Sequence, residues 1–231
     1  DYLIGDAKDN RFRGLGGSDT IDGGDGNDEA DYSQDVRYGG NQGIVVNLTP
    51  IDFESGALPY GIPGSIPRIA AGTARDGYGA TDTLISIEKI RGTQFADFIL
   101  GSQNDNTLIG GDGNDTIASA GGADSISGGR GDDLIFIAAS GETVDGGADT
   151  DIVYFEKGTA LYSLAEILPY LTVNNDGSIS ISLPGRTRTL LLNVERLGFA
   201  EGVYAIADLT KTGTSGNDRL LGINGDETLL G

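Results

Sequence analysis

Four aspartates, Asp97, Asp115, Asp133 and Asp151, recur every eighteen residues, and Asn106, Asp124 and Glu142 fall midway between them. Side-chain oxygens at so regular a spacing suit two kinds of chemistry. As close pairs they could share acid and base work on a glycosidic bond. As a ladder they could hold hard divalent cations. The chain contains no His and no Cys, which removes the usual general base, the Ser-His-Asp triad, thiolates, disulfides and the common zinc sites. Close carboxyls are what a ladder requires, and the repeat accounts for nearly every Asp. No catalysis is expected within this chain.

The ladder rests on an internal repeat. Cutting every nine residues from Gly92 gives GTQFADFIL, GSQNDNTLI, GGDGNDTIA, SAGGADSIS, GGRGDDLIF, IAASGETVD and GGADTDIVY. The sixth place always offers a side-chain oxygen. The eighth is always aliphatic: Ile99, Leu108, Ile117, Ile126, Ile135, Val144 and Val153. The same ruler fits 5–13, 14–22 and 23–31, where Ala30 is small at the inward place, and 77–85, which carries Asp82. It returns at 213–221 and 222–230, and Asp1–Ile4 reads as the tail of a repeat. Both ends are expected to lie mid-array in a longer protein.

The period implies its own architecture. Six residues, G-G-x-G-x-D, form a turn, and three form a short strand whose middle side chain points inward. Glycine supplies the positive φ and the close backbone approach such a turn needs. Two nonads complete one flattened coil, and successive coils stack about 4.8 Å apart as parallel strands. Carboxylates about 5 Å apart repel by somewhat under 1 kcal/mol in water and by more when buried. A cation between coils turns that repulsion into attraction. Ca²⁺ takes about six to eight mixed carboxylate and carbonyl oxygens, whereas Mg²⁺ demands stricter octahedral geometry.

Composition agrees. A net charge of −20 argues against nucleic acid or an anionic membrane surface and for cations as partners. With 38% hydrophobic residues the chain can form a core, and no apolar run is long enough to span a membrane. The glycine-rich runs are not phosphate loops, because no Lys follows them and the acidic field would repel phosphate.

These repeats resemble the G-G-x-G-x-D-x-U-x nonapeptide of the repeats-in-toxin (RTX), hemolysin-type calcium-binding proteins; GGDGNDTIA and GGRGDDLIF fit at every fixed place. Two linking stretches, at 28–101 and 193–206, also look like RTX sequence. The resemblance implies an all-β parallel β-roll interrupted by β-rich insert or capping segments. On this reading 1–31 holds N-terminal repeats, 32–76 an insert, 77–154 the central roll, 155–212 a β-rich insert with a short helix, and 213–231 the start of a further repeat block.

The resemblance also implies ligands for several Ca²⁺ ions, each seated between two turns on one edge. One turn gives carbonyls from places two and four with its Asp, and the next gives carbonyls from places one and three with its own Asp. Carried over, three sites follow. Thr93, Phe95 and Asp97 join Gly110, Asp112 and Asp115. Gly111, Gly113 and Asp115 join Gly128, Arg130 and Asp133. Gly129, Gly131 and Asp133 join Gly146, Ala148 and Asp151. The opposite edge of Asn106, Asp124 and Glu142 is expected to bind more weakly, since Asn is neutral, Glu is one methylene longer, and the turn IAASGE lacks both leading glycines. In the N-terminal block Asp1 pairs with Asp19, a pair truncation would damage, and Asn10 with Asp28, with Gly23 and Asp25 in the set. Asp82 extends the array; Glu88 either caps the roll with a carboxylate or is a solvated charge. Asp218 should bind only with downstream repeats present.

The interruptions read differently. GIVVNL (43–48) alternates like a strand, and the Pro-Gly stretch 59–67 is a loop or edge cover. A helix is expected from Thr159 to Leu168, ending before Pro169, followed by strands in SISISL and TLLLNV, with NNDG (174–177) as a hairpin turn. The inserts are expected to cap or flank the roll and cover strand edges. Arg130-Gly131-Asp132 spells a cell-adhesion tripeptide but fills places three to five of a turn. Two functions remain. One is a calcium-driven folding and secretion module of a larger secreted protein, which the resemblance ties to type I export from Gram-negative bacteria. The other is a binding module for a polysaccharide, a cell surface or a neighbouring domain of the same chain, which exposed Tyr32, Tyr38, Tyr60 or Tyr78 would favour.

Overall fold

The eighth-place aliphatics build the core. Ile99, Leu108, Ile117, Ile126, Ile135, Val144 and Val153 are all buried and belong to one apolar cluster that runs the length of the molecule. The computed structural model describes residues 1–52, 56–57, 65–66, 68–138 and 140–209. The Pro-Gly stretch at 59–67, Tyr60 included, lies largely outside the described residues, and the repeats from 213 onward, with Asp218, lie wholly outside them.

Two parallel sheets face each other across this core, so the fold is an all-β roll. In one sheet Phe98–Leu100, Thr116–Ala118, Leu134–Ile137 and Ile152–Lys157 pair with a register offset of eighteen residues, as Ile99↔Ile117↔Ile135↔Val153. The facing sheet does the same with Thr107–Asp112, Ser125–Arg130 and Thr143–Ala148, through Leu108↔Ile126↔Val144. These latter strands are six residues long, not three. The ladder continues through the paired glycines Gly111↔Gly129↔Gly147, which have no side chain to obstruct it.

The first insert does not cap the roll as expected; it enters it. Tyr2–Ile4 pairs with Thr20–Asp22, which pairs with Thr81–Ile85. Thr73–Arg75 and Val45–Asn47 then follow as two antiparallel strands before Phe98–Leu100. The facing sheet passes directly from Glu29–Asp31 to Lys89–Arg91 and Thr107–Asp112. One sheet is therefore two strands, or about 10 Å, longer at this point. A second apolar cluster of Val45, Phe98, Leu100, Phe136 and Tyr154 forms here, covered by Ile69 and Leu161.

The second insert extends the facing sheet with an antiparallel hairpin, Leu171–Val173 and Ile179–Ile181, turned by Asn174–Gly177 with Gly177 at φ +85°. The helix within it is shorter than expected. It spans Leu164–Ile167, because Ser163 and Glu166 form a reciprocal capping box that fixes its start. Ala160–Leu161 is instead a strand beside Ile152–Lys157, and Pro169 sits inside a following 3-10 turn. The chain then rejoins the roll through Thr189–Leu192 and Arg196–Phe199.

Candidate metal centre

Stacking places the sixth-place side chains in columns along the two edges. On one edge the backbone N–H of each Asp donates to Oδ1 of the next: Asp97 to Asp115 at 2.8 Å, Asp115 to Asp133 at 2.8 Å and Asp133 to Asp151 at 2.9 Å. The column ends on Glu195, whose Oε2 accepts the Asp151 N–H at 3.0 Å. Each carboxylate thus has one oxygen fixed by the backbone. The other, Oδ2 of Asp115, Asp133 and Asp151, is buried and has no hydrogen-bond partner.

A buried carboxylate oxygen without a partner is unfavourable unless a proton or a cation meets it. Burial, with the charges of Asp97 and Asp133 adding to it, pushes the Asp115 carboxyl up to about 9. Burial likewise raises Asp97 and Asp133 to about 7 and Asp151 to about 6. No lysine or arginine is paired with any of these four among the described ion pairs. The donor set, carboxylate oxygens beside turn carbonyls, suits a hard divalent cation.

The glycines make the space. A Cβ on Gly110 would fall on Asp115 Oδ2 and close to the Gly128 carbonyl, and one on Gly128 would fall on Asp133 Oδ2 and close to the Gly146 carbonyl. The expected ligand positions Gly110, Gly128 and Gly146 therefore lie beside the carboxylates they were grouped with. Gly111, Gly113, Gly129 and Gly131 take the positive φ that the turn needs. The carbonyls of Thr93, Arg130 and Ala148 each accept one backbone N–H, from Asp112, Gly113 and Gly131. The side chains of Asp112, Arg130 and Ala148 stand out in solvent.

Asp97 differs from its column. Its Oδ2 accepts the Thr93 N–H at 2.6 Å, and its Oδ1 accepts the Ile44 N–H at 2.7 Å and the Thr93 hydroxyl at 2.9 Å. Ser102 treats Asn106 the same way, donating its N–H at 2.7 Å and its hydroxyl at 3.0 Å. The signal is legible in hindsight: a hydroxyl residue at place two of a turn caps the side chain at place six.

On the opposite edge Asp124 Oδ1 accepts the Asn106 N–H at 2.7 Å, and Asp124 Oδ2 is buried without a partner. Burial, with Glu142 adding to it, raises Asp124 to about 7. Glu142 is wholly buried, its Oε2 taken by Ser140 and Thr189 and its Oε1 unpartnered. In the N-terminal block Asp28 accepts from Asn10 at 2.7 Å and donates its N–H to Glu88 at 3.0 Å, while Asp82 accepts from Asp19 at 2.9 Å. Oδ2 of both Asp19 and Asp28 is buried and unpartnered. Gly23 is buried against Asp28 and the Ser86 carbonyl, whereas the Asp25 side chain is exposed. The Glu88 carboxylate therefore receives the Asp28 N–H as Glu195 receives that of Asp151, although the stack continues past Glu88 to Asn106. Sequence reading missed Glu195, although Ser86-Ile87-Glu88 and Asn193-Val194-Glu195 share a pattern and a left-handed first residue, at φ +51° and +47°.

Other motifs resolve locally. Asp132 of the Arg-Gly-Asp tripeptide accepts the Thr150 N–H and donates its own N–H to Asn114, in an outer hydrogen-bonded column. Tyr32 is buried with its hydroxyl on Asp82, and Tyr78 donates its hydroxyl to the Asp35 carbonyl. Of the candidates Tyr32, Tyr38 and Tyr78, Tyr38 alone is exposed, so these three form no aromatic platform.

Comparison with known proteins adds the following. The family model for the RTX calcium-binding nonapeptide repeat matches residues 1–30, 87–117 and 100–135, with four copies. Among curated proteins, none matches. Among solved structures, the extracellular lipase LipA from Serratia marcescens is similar over 84% of this chain at 14% identity and a TM-score of 0.26. The chain spans 37% of that lipase's length.

Proposed function

Because the chain carries RTX calcium-binding nonapeptide repeats, we propose that it is a structural module whose coils are completed by calcium seated between turns. The repeats are structural, not catalytic. The observation that carries this reading is the column of buried, unpartnered oxygens on Asp115, Asp133 and Asp151. The strongest sites use Asp115 with Asp133 and Asp133 with Asp151, joined by the carbonyls of Gly111, Gly113, Gly128 and Arg130, and of Gly129, Gly131, Gly146 and Ala148. The pair of Asp97 and Asp115 binds more weakly, because Thr93 already satisfies the Asp97 carboxylate. Glu195 completes the end of its column at Asp151, and Glu88 adds a carboxylate beside Asp28.

Metal binding free energy then becomes folding free energy. Extracellular calcium modules work at roughly 10⁻⁴–10⁻³ M, so the chain stays unfolded where calcium is scarce and folds outside the cell. That suits a segment of a larger protein exported by type I secretion. Titration calorimetry of the EDTA-stripped chain tests the reading: calcium should bind in several equivalents and magnesium far more weakly. Heat from calcium that Asp115→Asn/Asp133→Asn leaves unchanged would contradict it.

A further inference from the structure

A second kind of carboxylate pair lies outside the repeats. Asp35 opens a short 3-10 turn, Asp35–Tyr38, in the first insert, and Asp76 precedes the strand Thr81–Ile85. Both are buried, at 1% and 0% exposure. The Gly77 N–H, the peptide next to Asp76, donates to Asp35 Oδ2 at 3.1 Å and so ties Asp35 to the turn that carries Asp76. Asp76 Oδ1 accepts the N–H groups of Tyr78 at 3.0 Å and Ala80 at 2.7 Å. The remaining oxygens, Asp35 Oδ1 and Asp76 Oδ2, are buried without partners.

No positive group answers them: neither residue belongs to an ion pair among the described residues. Burial raises both carboxyls; the charge of Asp76 adds to it at Asp35, which reaches about 6, and the charge of Asp19 adds to it at Asp76. Two ionised carboxylates packed together away from water call for a counter-cation. Backbone oxygen is at hand, since the Gln42 carbonyl lies 3.3 Å from where a Gly77 Cβ would stand. That same Cβ would be 2.9 Å from Asp35 Cβ, so only glycine lets the two segments close this tightly.

We propose that Asp35 and Asp76 form a separate site for one hard divalent cation, calcium in an extracellular setting, completed by nearby backbone carbonyls. The ion pins the start of the insert, around residues 35–42, to the turn that leads the chain back into the roll. It uses no residue of the nonapeptide ladder, so insert docking and coil stacking are separately bound to metal. Asp82 and Tyr32 pack beside it, with the Tyr32 hydroxyl on Asp82 Oδ2 at 3.2 Å.

The test counts ions. The stripped 231-residue chain is dialysed to equilibrium against calcium, and bound metal is measured by mass spectrometry for the wild type and for Asp35→Asn/Asp76→Asn. The variant should bind one ion fewer while keeping its calcium-loaded circular dichroism spectrum. An unchanged count overturns the proposal. Should the variant not fold, crystals of the calcium-loaded wild type decide. Anomalous density between Asp35 and Asp76 upholds the site, and density at the ladder alone overturns it without touching the ladder reading. A wild type that binds no calcium at all overturns both.

Discussion

Replacing Asp133 by Asn should stabilise the calcium-free chain and weaken its response to calcium. Asp133 is fully buried, with Oδ1 on the Asp115 N–H at 2.8 Å and Oδ2 unpartnered. Asn keeps the accepting oxygen and removes the charge. Burial, helped by Asp151, holds the carboxyl at about 7 against an ordinary 3.8. Because the folded state binds the proton more tightly, the penalty is absent below the ordinary value. It grows as pH rises and is complete above about 7. Three pH units correspond to about 4 kcal/mol, which the variant should recover at pH 8 in EDTA. In calcium the balance changes. Each ion at a hundred times its dissociation constant contributes about 2.7 kcal/mol, and Asp133 serves two proposed sites. The calcium-induced gain should therefore shrink by up to about 5 kcal/mol. Urea unfolding followed by far-UV circular dichroism measures both, with an excluded osmolyte such as TMAO to keep the calcium-free chain folded. Equal destabilisation in EDTA and in calcium would refute the reasoning, since it would make Asp133 a hydrogen-bonding residue and nothing more.

Three further outcomes follow from the same geometry. In EDTA, with the same osmolyte keeping it folded, the wild type should gain stability as pH falls from 9 toward 5, because the raised carboxyls of Asp115, Asp97, Asp124, Asp133 and Asp151 take up protons. Saturating calcium should flatten that profile, as urea midpoints across the pH range would show. Gly129→Ala should lower stability by more than about 1 kcal/mol even in calcium, since φ is +119° and the new Cβ would collide with the Gly111 carbonyl; thermal unfolding reads this directly. Glu195→Gln should keep the Asp151 N–H bonded yet weaken one calcium site, measurable as a single altered class in a calorimetric titration, whereas an unaltered titration would remove Glu195 from the ligand set.

How much of this was legible in the sequence depends on whether the repeat carries it. Ile117 and Ile135 sit inward, and Asp115 and Asp133 stack at one edge, because a strict nine-residue period leaves no other register. Length alone could not show that Val45–Asn47 and Thr73–Arg75 would enter the sheet, because nothing local distinguishes a strand that widens a roll from one that covers it. The capping of Asp97 by Thr93 was written in the turn GTQFAD, but a ligand pattern read only at its fixed places passes over it. Asp35 and Asp76 lie in unrelated sequence, and only the folded approach at Gly77 brings them together. Helix length failed for a local reason, since Ser163 captures the cap and starts the helix late.

The central claim is that calcium supplies what the buried carboxylate oxygens lack. Far-UV circular dichroism of the EDTA-stripped chain, titrated with calcium and separately with magnesium, tests it most directly. The account expects a cooperative coil-to-β transition with calcium alone. A spectrum already fully β in EDTA and unmoved by calcium would contradict it and leave a roll held by its aliphatic core.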